Sequence, residues 1–309
     1  MSDVGISSIA GYLPRLRLSK KSVSQANAWL APNLVGKGKG TRAMANWDED
    51  SVTMSVEAIR RILGTNDDRS HVDSLFFAST TMPFSDRLNS GIIRAALTLE
   101  EQTECIDIAS TLKSGTSALI QALDKVKSGN SKYSIVSAAD KRKARAASPQ
   151  ELDFGDASVA LSVDTDNLIA KYINSSSLSI DFIDHFRQPG EEFDYNWEER
   201  WIRDEGFLKI VPKAINDLFD KTDIDGSEID HFIIPSVFPR VDQMIAKKCG
   251  IDPDKVVGNM ALTVGNTGSA HSLLMLASVL ERAKPGEKIL VCSFGLSLIH
   301  ISEPTRRRG

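Results

Sequence analysis

The chain has 309 residues, 41% of them hydrophobic and 25% charged, with a formal net charge of -4. That is the composition of an ordinary globular protein, long enough for one large layered unit or two domains. The mild negative charge gives no reason to expect nucleic acid or an anionic membrane as partner. No apolar run approaches the roughly 18 residues of a membrane span, and the N-terminus shows no signal-peptide pattern. Cys105, Cys249 and Cys292 lie in apolar or helical contexts without CxxC spacing. They read as buried free thiols of a cytoplasmic protein, and no metal site is expected.

In chain order, Val4 to Leu13 reads as a strand ended by Pro14, and the GKGKG stretch at Gly36 to Gly40 as a flexible loop. That stretch fits neither a P-loop nor a dinucleotide fingerprint. Acids at 48–50 precede an amphipathic helix running to Leu63, with Arg60 and Arg61 near its end as the helix dipole favours. Val72 to Ala78 is a continuous apolar strand of the kind buried on both faces. Residues 105–127 form a strand, a small polar turn and a helix. Such an elbow presents one side chain at the strand end and the N–H groups of a helix start toward developing negative charge. Tyr133 to Ala138 is a strand, and Lys141 to Arg145 a basic run expected as a solvated loop, with phosphate contact as the other reading. A strand at 154–163 closes the first half.

The second half opens with strand-like residues 168–180 and a polar insert carrying His185, Tyr195, Trp197 and Trp201. Those aromatics suit partial burial at a domain edge or the lining of a tunnel. Residues 207–219 form an amphipathic helix. Asp220 to Asp230 reads as a surface turn, because setting Gly226 at the sixth position of a calcium loop puts Lys221 at the first. An internal repeat orders all of this. Asp73 and Asp230 stand 157 residues apart in similar strands, ALIQALDKVKSG answers MLASVLERAKPG, and YSIVSAAD answers KILVCSFG. Each half alternates strand and helix, which predicts two similar parallel-sheet units packed face to face.

The elbow Thr111-Leu112-Lys113-Ser114-Gly115-Thr116 resembles that of the hydroxymethylglutaryl-CoA synthase branch of the thiolase superfamily, especially its archaeal type. The likeness extends to WDEDSVTMSVEAIRRIL and to the Val264-Gly265-Asn266-Thr267-Gly268-Ser269 turn. It implies an α/β fold of the thiolase type: a duplicated αβαβα layered arrangement with two similar mixed sheets around buried central helices. The halves are expected at residues 1–165 and 166–295, the second incomplete. Residues 296–309 (LSLIHISEPTRRRG after Gly295) look foreign and are left out of the expected fold, with the C-terminus read as truncated.

The resemblance also locates chemistry. The acyl-accepting cysteine of the family falls at Leu112, its catalytic glutamate at Thr80 and its histidine at Ile233, while its asparagine persists as Asn266. A leucine offers no nucleophile and a threonine no carboxylate base. Asn266 can polarise a thioester carbonyl, and His271 is the titratable group nearest that turn in sequence. Lys113, Ser114, Gly115, Gly265 and Thr267 are the expected substrate-binding positions, with a coenzyme A thioester as substrate or ligand and no metal. Three readings stay open. One is C–C bond chemistry on an acyl-CoA without an acyl-cysteine, another is an inactive scaffold subunit of a thiolase-fold/OB-fold complex, and the third is an active condensing acyltransferase using Cys105 or Cys249. The resemblance further implies a homodimer and a possible OB-fold, zinc-ribbon partner protein.

Overall fold

The computed structural model describes residues 3–65, 68–295 and 298–305. The strands are β1 Gly5–Tyr12, β2 Leu16–Ser19, β3 Thr41–Met44, β4 Ser74–Ala78, β5 Glu104–Ile108, β6 Ser134–Asp140, β7 Ala157–Asp164, β8 Ala170–Ser177, β9 His185–Phe186, β10 Tyr195–Asn196, β11 His231–Ile233, β12 Ile289–Ser293 and β13 Leu298–Pro304. The helices are α1 Lys20–Ala26, α2 Ser51–Leu63, α3 Asn89–Ala96, α4 Ser114–Lys127, α5 Pro149–Asp153, α6 Glu199–Trp201, α7 Leu208–Thr222, α8 Val241–Lys248 and α9 His271–Leu280.

Strand alternation builds the layers. Along β4, Leu75 and Phe77 face an outer cluster with Val52, Val56 and Ile59 of α2, while Phe76 and Ala78 face a central cluster. Along β12, Leu290 and Cys292 face the outer cluster of α7 and α8, and Ile289 and Val291 the central one. The central cluster also holds Leu119 and Leu123 of α4 and Leu273 and Leu276 of α9. A helix apolar on every side, as HSLLMLASVL is, has to lie between two sheets. Outer helices, sheet, central helices, sheet and outer helices thus stack as five layers. The outer helix α2 starts at a reciprocal Asp50–Thr53 capping box, which satisfies N–H groups that the helix itself leaves unpaired.

The duplication is exact at three places: α7, β11 and α9 begin at 208, 231 and 271, each 157 residues after α2, β4 and α4 at 51, 74 and 114. Strand order repeats too, as β4-β6-β7-β1 and β11-β12-β13-β8. In both runs the first pairing is parallel and the next two antiparallel. The sheets are therefore mixed, as the resemblance implies, and not the parallel units that element alternation alone suggests. The two halves are hydrogen-bonded into one nine-stranded sheet through β1 and β8, which share only the pairs Gly5↔Lys171 and Ile6↔Ala170.

The exclusion of residues 296–309 from the fold requires correction for part of that segment. Residues 298–304 form β13, antiparallel to both β12 and β8, and supply the backbone partners that both strands need. Residues 296, 297 and 306–309 lie outside the described residues.

The seam between the halves depends on one small residue. A Cβ on Gly5 would lie 2.1 Å from the Ala170 carbonyl oxygen, whereas one on Gly36 would meet nothing within 4 Å. Gly5→Ala is expected to lower stability in urea unfolding by about 1–3 kcal/mol. Gly36→Ala should change it by less than about 0.5 kcal/mol.

Candidate active site

The elbow forms as its sequence predicts. After β5, Ser110 takes a left-handed φ of 73°, Thr111 donates its hydroxyl to the Gly295 carbonyl at 2.5 Å, and Ser114 opens α4. Leu112 at this tip lines a cavity of about 680 Å³. Asn266 lines the same cavity, so the structure brings together the positions of the family's cysteine and asparagine. The Asn266 Oδ1 accepts the Gly268 N–H at 3.0 Å, while its Nδ2 has no partner among the described residues. The amide is thus held by its oxygen, with its donor available.

Beneath this turn lies the buried carboxylate of Asp140 at the end of β6. Its Oδ1 accepts from the hydroxyls of Ser79, Thr80 and Thr81 at 2.9, 3.0 and 2.9 Å and from the Thr80 N–H at 2.7 Å. Its Oδ2 accepts the Ser269 N–H at 2.7 Å. Thr80 is therefore consumed in holding Asp140 and does not line the cavity. Ile233 lies at the end of β11 with its side chain fully buried in the central cluster, also away from the cavity.

His271 is placed differently from the expectation of an acid or base near the ligand. It is buried, off the cavity lining, with Nδ1 accepting the Thr267 N–H at 3.0 Å and Nε2 facing the Asn259 carbonyl at 3.0 Å. Both ring nitrogens are occupied, and burial pushes its pKa down to about 4. The remaining expected binding positions shape the site without lining it. Gly115 packs on α9's approach, where a Cβ would meet the Ser269 carbonyl at 2.3 Å. Gly265 has φ 87° and passes close to Asp153 and Gly155. Ser114 and Thr267 are buried, and burial lowers the Lys113 pKa.

Sequence reasoning missed most of the cavity wall. The basic run is only in part a solvated loop: Lys143 and Arg145 are exposed, but Lys141 donates to the Asn46 and Glu49 carbonyls at 2.9 and 2.6 Å, and Arg142 is buried. The Arg142 guanidinium lies 3.7 Å from the Phe154 ring centroid and donates to the Asn266 carbonyl at 3.3 Å. Burial pushes its pKa down, against the pull of Asp140 and Asp194. Lys143 and Arg145 line the cavity, with Lys143 paired to Glu192 at 2.9 Å.

The polar insert folds as the hairpin β9–β10 over this opening, and His185, Tyr195 and Trp197 line the cavity. Trp201 instead stacks on Phe182, with ring centroids 6.0 Å apart. Arg187 fastens the hairpin to the first half, donating to Asp194 Oδ1 and to the Thr80 carbonyl, both at 2.5 Å. Asp194 is buried on the cavity wall, 4.0 Å from Arg142, and its Oδ2 has no hydrogen-bond partner among the described residues. Ser148 Oγ and Arg142 Nε, on the same wall, are likewise unpaired. Buried polar atoms left open around one cavity suit a polar ligand or bound water.

None of the three cysteines lines the cavity. Cys105 packs against the α2–α3 cluster, and Cys249 and Cys292 lie in the α7–α8 cluster. Burial raises the pKa of all three, that of Cys249 to about 11. No group of three or more metal-binding side chains occurs among the described residues, nor any helix long and apolar enough to cross a membrane.

Two stability effects follow from this construction. Asp140→Asn replaces one acceptor by a donor facing the Ser269 N–H, and is expected to cost about 2–4 kcal/mol in urea unfolding. His271 has a folded-state pKa of about 4 against an ordinary 6.5, so its contribution is complete above pH 6.5. It is lost as the pH falls from 6.5 toward 4, by up to about 3 kcal/mol. A pH series of unfolding midpoints should show this slope, and His271→Gln should flatten it.

Comparison with known proteins agrees with the architecture. Residues 219–302 match the family described as 3-oxoacyl-[acyl-carrier-protein (ACP)] synthase III C terminal. A hydroxymethylglutaryl-CoA synthase of Caldivirga maquilingensis is 28% identical over 297 residues, 94% of this chain and 84% of the relative. The synthase of Pyrococcus horikoshii is 26% identical over 299 residues, 96% of this chain and 84% of the relative. Among solved structures, an HMG-CoA synthase complexed with CoA superposes with a TM-score of 0.88 at 19% identity, covering 98% of this chain and 83% of the other. The 3-oxoacyl-(acyl carrier protein) synthase III of Pseudomonas aeruginosa superposes with a TM-score of 0.85 at 17% identity, covering 99% of each chain. The chain is a thiolase-fold protein, similar along nearly its whole length to the archaeal-type hydroxymethylglutaryl-CoA synthases.

Proposed function

We propose that this protein binds an acyl-CoA thioester in the cavity at the elbow and carries out C–C bond chemistry on it without a cysteine acyl-enzyme. The observation that carries this reading is that Leu112 and Asn266 line one cavity. The leucine offers no nucleophile, while the asparagine keeps an amide donor for a carbonyl oxygen. The aromatics of the hairpin provide apolar surface for an acyl or pantetheine chain. Charged groups from Arg142 to Asp194 supply the polar contacts. An apolar, closed pocket would suit a scaffold subunit; a cavity lined by carboxylates, arginines and a histidine supports an enzyme. The reading with a displaced cysteine loses support, because its thiols lie in the outer clusters and off the cavity lining.

By the same resemblance the protein acts in the cytoplasm as a homodimer, with residues 1–165 as its first half and residues 166–295, joined by β13, as its second. The terminal strand β5 supports a sheet-edge interface, since it has a neighbour on one side only and half-exposes Ile106 and Ile108. A small OB-fold, zinc-ribbon protein is the proposed partner on the strength of the resemblance alone.

Calorimetric titration with acetyl-CoA and acetoacetyl-CoA tests the site, with micromolar binding expected. Asn266→Ala should weaken both thioesters about tenfold while changing free CoA less. A folded chain that binds neither thioester would overturn the reading for these ligands.

A further inference from the structure

The cavity reaches neither Thr80 nor His271, yet its lining holds a pair able to move a proton. Asp184 and His185 both line it, together with Leu112 and Asn266. The His185 Nδ1 lies 3.0 Å from Asp184 Oδ1, and the same oxygen accepts the His185 backbone N–H at 2.8 Å. A carboxylate this close to Nδ1 favours the tautomer with its proton on Nδ1 and its lone pair on Nε2. Nε2 has no hydrogen-bond partner among the described residues, unlike either ring nitrogen of His271. Burial opposes ionisation of Asp184, but the hydrogen bonds it accepts outweigh this and hold that carboxyl below its usual range.

The hairpin also sets the pair in the right place. Asp184 is tied to its returning strand, where its carbonyl accepts the Trp197 N–H at 2.9 Å, and His185 pairs with Asn196. Arg187, two residues beyond His185, reaches the Thr80 carbonyl at 2.5 Å. His185 therefore rides on the segment that is fastened to the position where the resemblance puts the family's base.

We propose that His185, oriented by Asp184, is the proton acceptor of this cavity, acting on the carbon next to the thioester carbonyl of a bound acyl-CoA. The inference rests on the thioester reading above. The α C–H bond breaks, its proton passes to Nε2, and its electron pair moves onto the carbonyl oxygen, to which the Asn266 amide donates. In the reverse step the imidazolium returns a proton to the carbon, so the half-reaction needs no further reactant. His185 is the catalytic residue in this scheme and Asp184 a positioning residue.

The test is exchange of the α-protons of butyryl-CoA for deuterium in D2O, read by mass spectrometry of the recovered thioester, with butyryl-CoA affinity measured in parallel on each variant. Exchange is expected with the unaltered chain, at least about a hundredfold slower with His185→Gln, and about tenfold slower with Asp184→Asn at unchanged affinity. Added imidazole should restore part of the rate to His185→Ala, which a purely structural histidine would not allow. Butyryl-CoA binding without exchange, or undiminished exchange in His185→Gln, would overturn the inference and leave the binding site standing. Failure of the unaltered, folded chain to bind butyryl-CoA would instead remove the thioester site for this ligand and the inference with it.

Discussion

The buried carboxylate of Asp140 is the constraint on which the site depends. It takes four hydrogen bonds from residues 79–81 and one from Ser269, joining the ends of β4 and β6 in the first half to the turn before α9 in the second. A carboxyl group out of water is tolerable only with such a shell of hydrogen-bond partners. The turn must come very close to provide its part. A Cβ on Gly268, whose φ is 63°, would lie 2.2 Å from Asp140 Oδ2. This contact sets Asn266 beside the elbow, and with it the floor of the cavity. Thr80 belongs to the same shell, so its hydroxyl serves architecture where the resemblance would put a base.

Much of this was legible in the sequence, for local reasons. The apolar spacing of 51–63 and 114–127 fixed two helices, the continuous apolar run at 72–78 a strand buried on both faces, and the 157-residue register the duplication. That Leu112 and Asn266 belong to one site was implied by the resemblance, not by the repeat. What escaped was non-local. Whether a strand runs parallel or antiparallel depends on its neighbours in the sheet, not on its own pattern, so the mixed order came from the resemblance and not from alternation. A run such as KRKAR carries no local sign that Phe154 and Asp194 will enclose Arg142. Likewise, the pairing of His185 with Asn196 and the reach of Arg187 to Thr80 cross spans that contain no repeat partner. β13 was missed for another reason: its foreign appearance displaced attention from the pairing that β12 and β8 require.

In the proposed scheme the chemistry sits on the cover of the cavity and not on the duplicated core. In the duplicated core, the positions that the resemblance marks as catalytic hold Leu112, Thr80 and Ile233, two of which pack or brace and one of which lines the cavity as a hydrocarbon. The insert between β8 and α7 brings charge and imidazole back over the same opening through His185, Arg187 and Asp194. A short hairpin held by Arg187 and by ring contacts such as Phe186 on Tyr195, 5.0 Å apart, can vary without disturbing the five-layered core. On the proposed reading, the core cradles the thioester while the reactive groups come from the insert between β8 and α7.

The central claim is that a thioester is held here without being transferred to the protein. It is met most directly by intact-mass spectrometry of the chain after incubation with acetyl-CoA, recorded under native and then denaturing conditions. The expected result is a complex heavier by one acetyl-CoA in the native spectrum and the unmodified chain mass after denaturation. A denatured chain carrying a stable acetyl adduct on Cys105, Cys249 or Cys292 would contradict the claim and return the protein to acyl-enzyme chemistry.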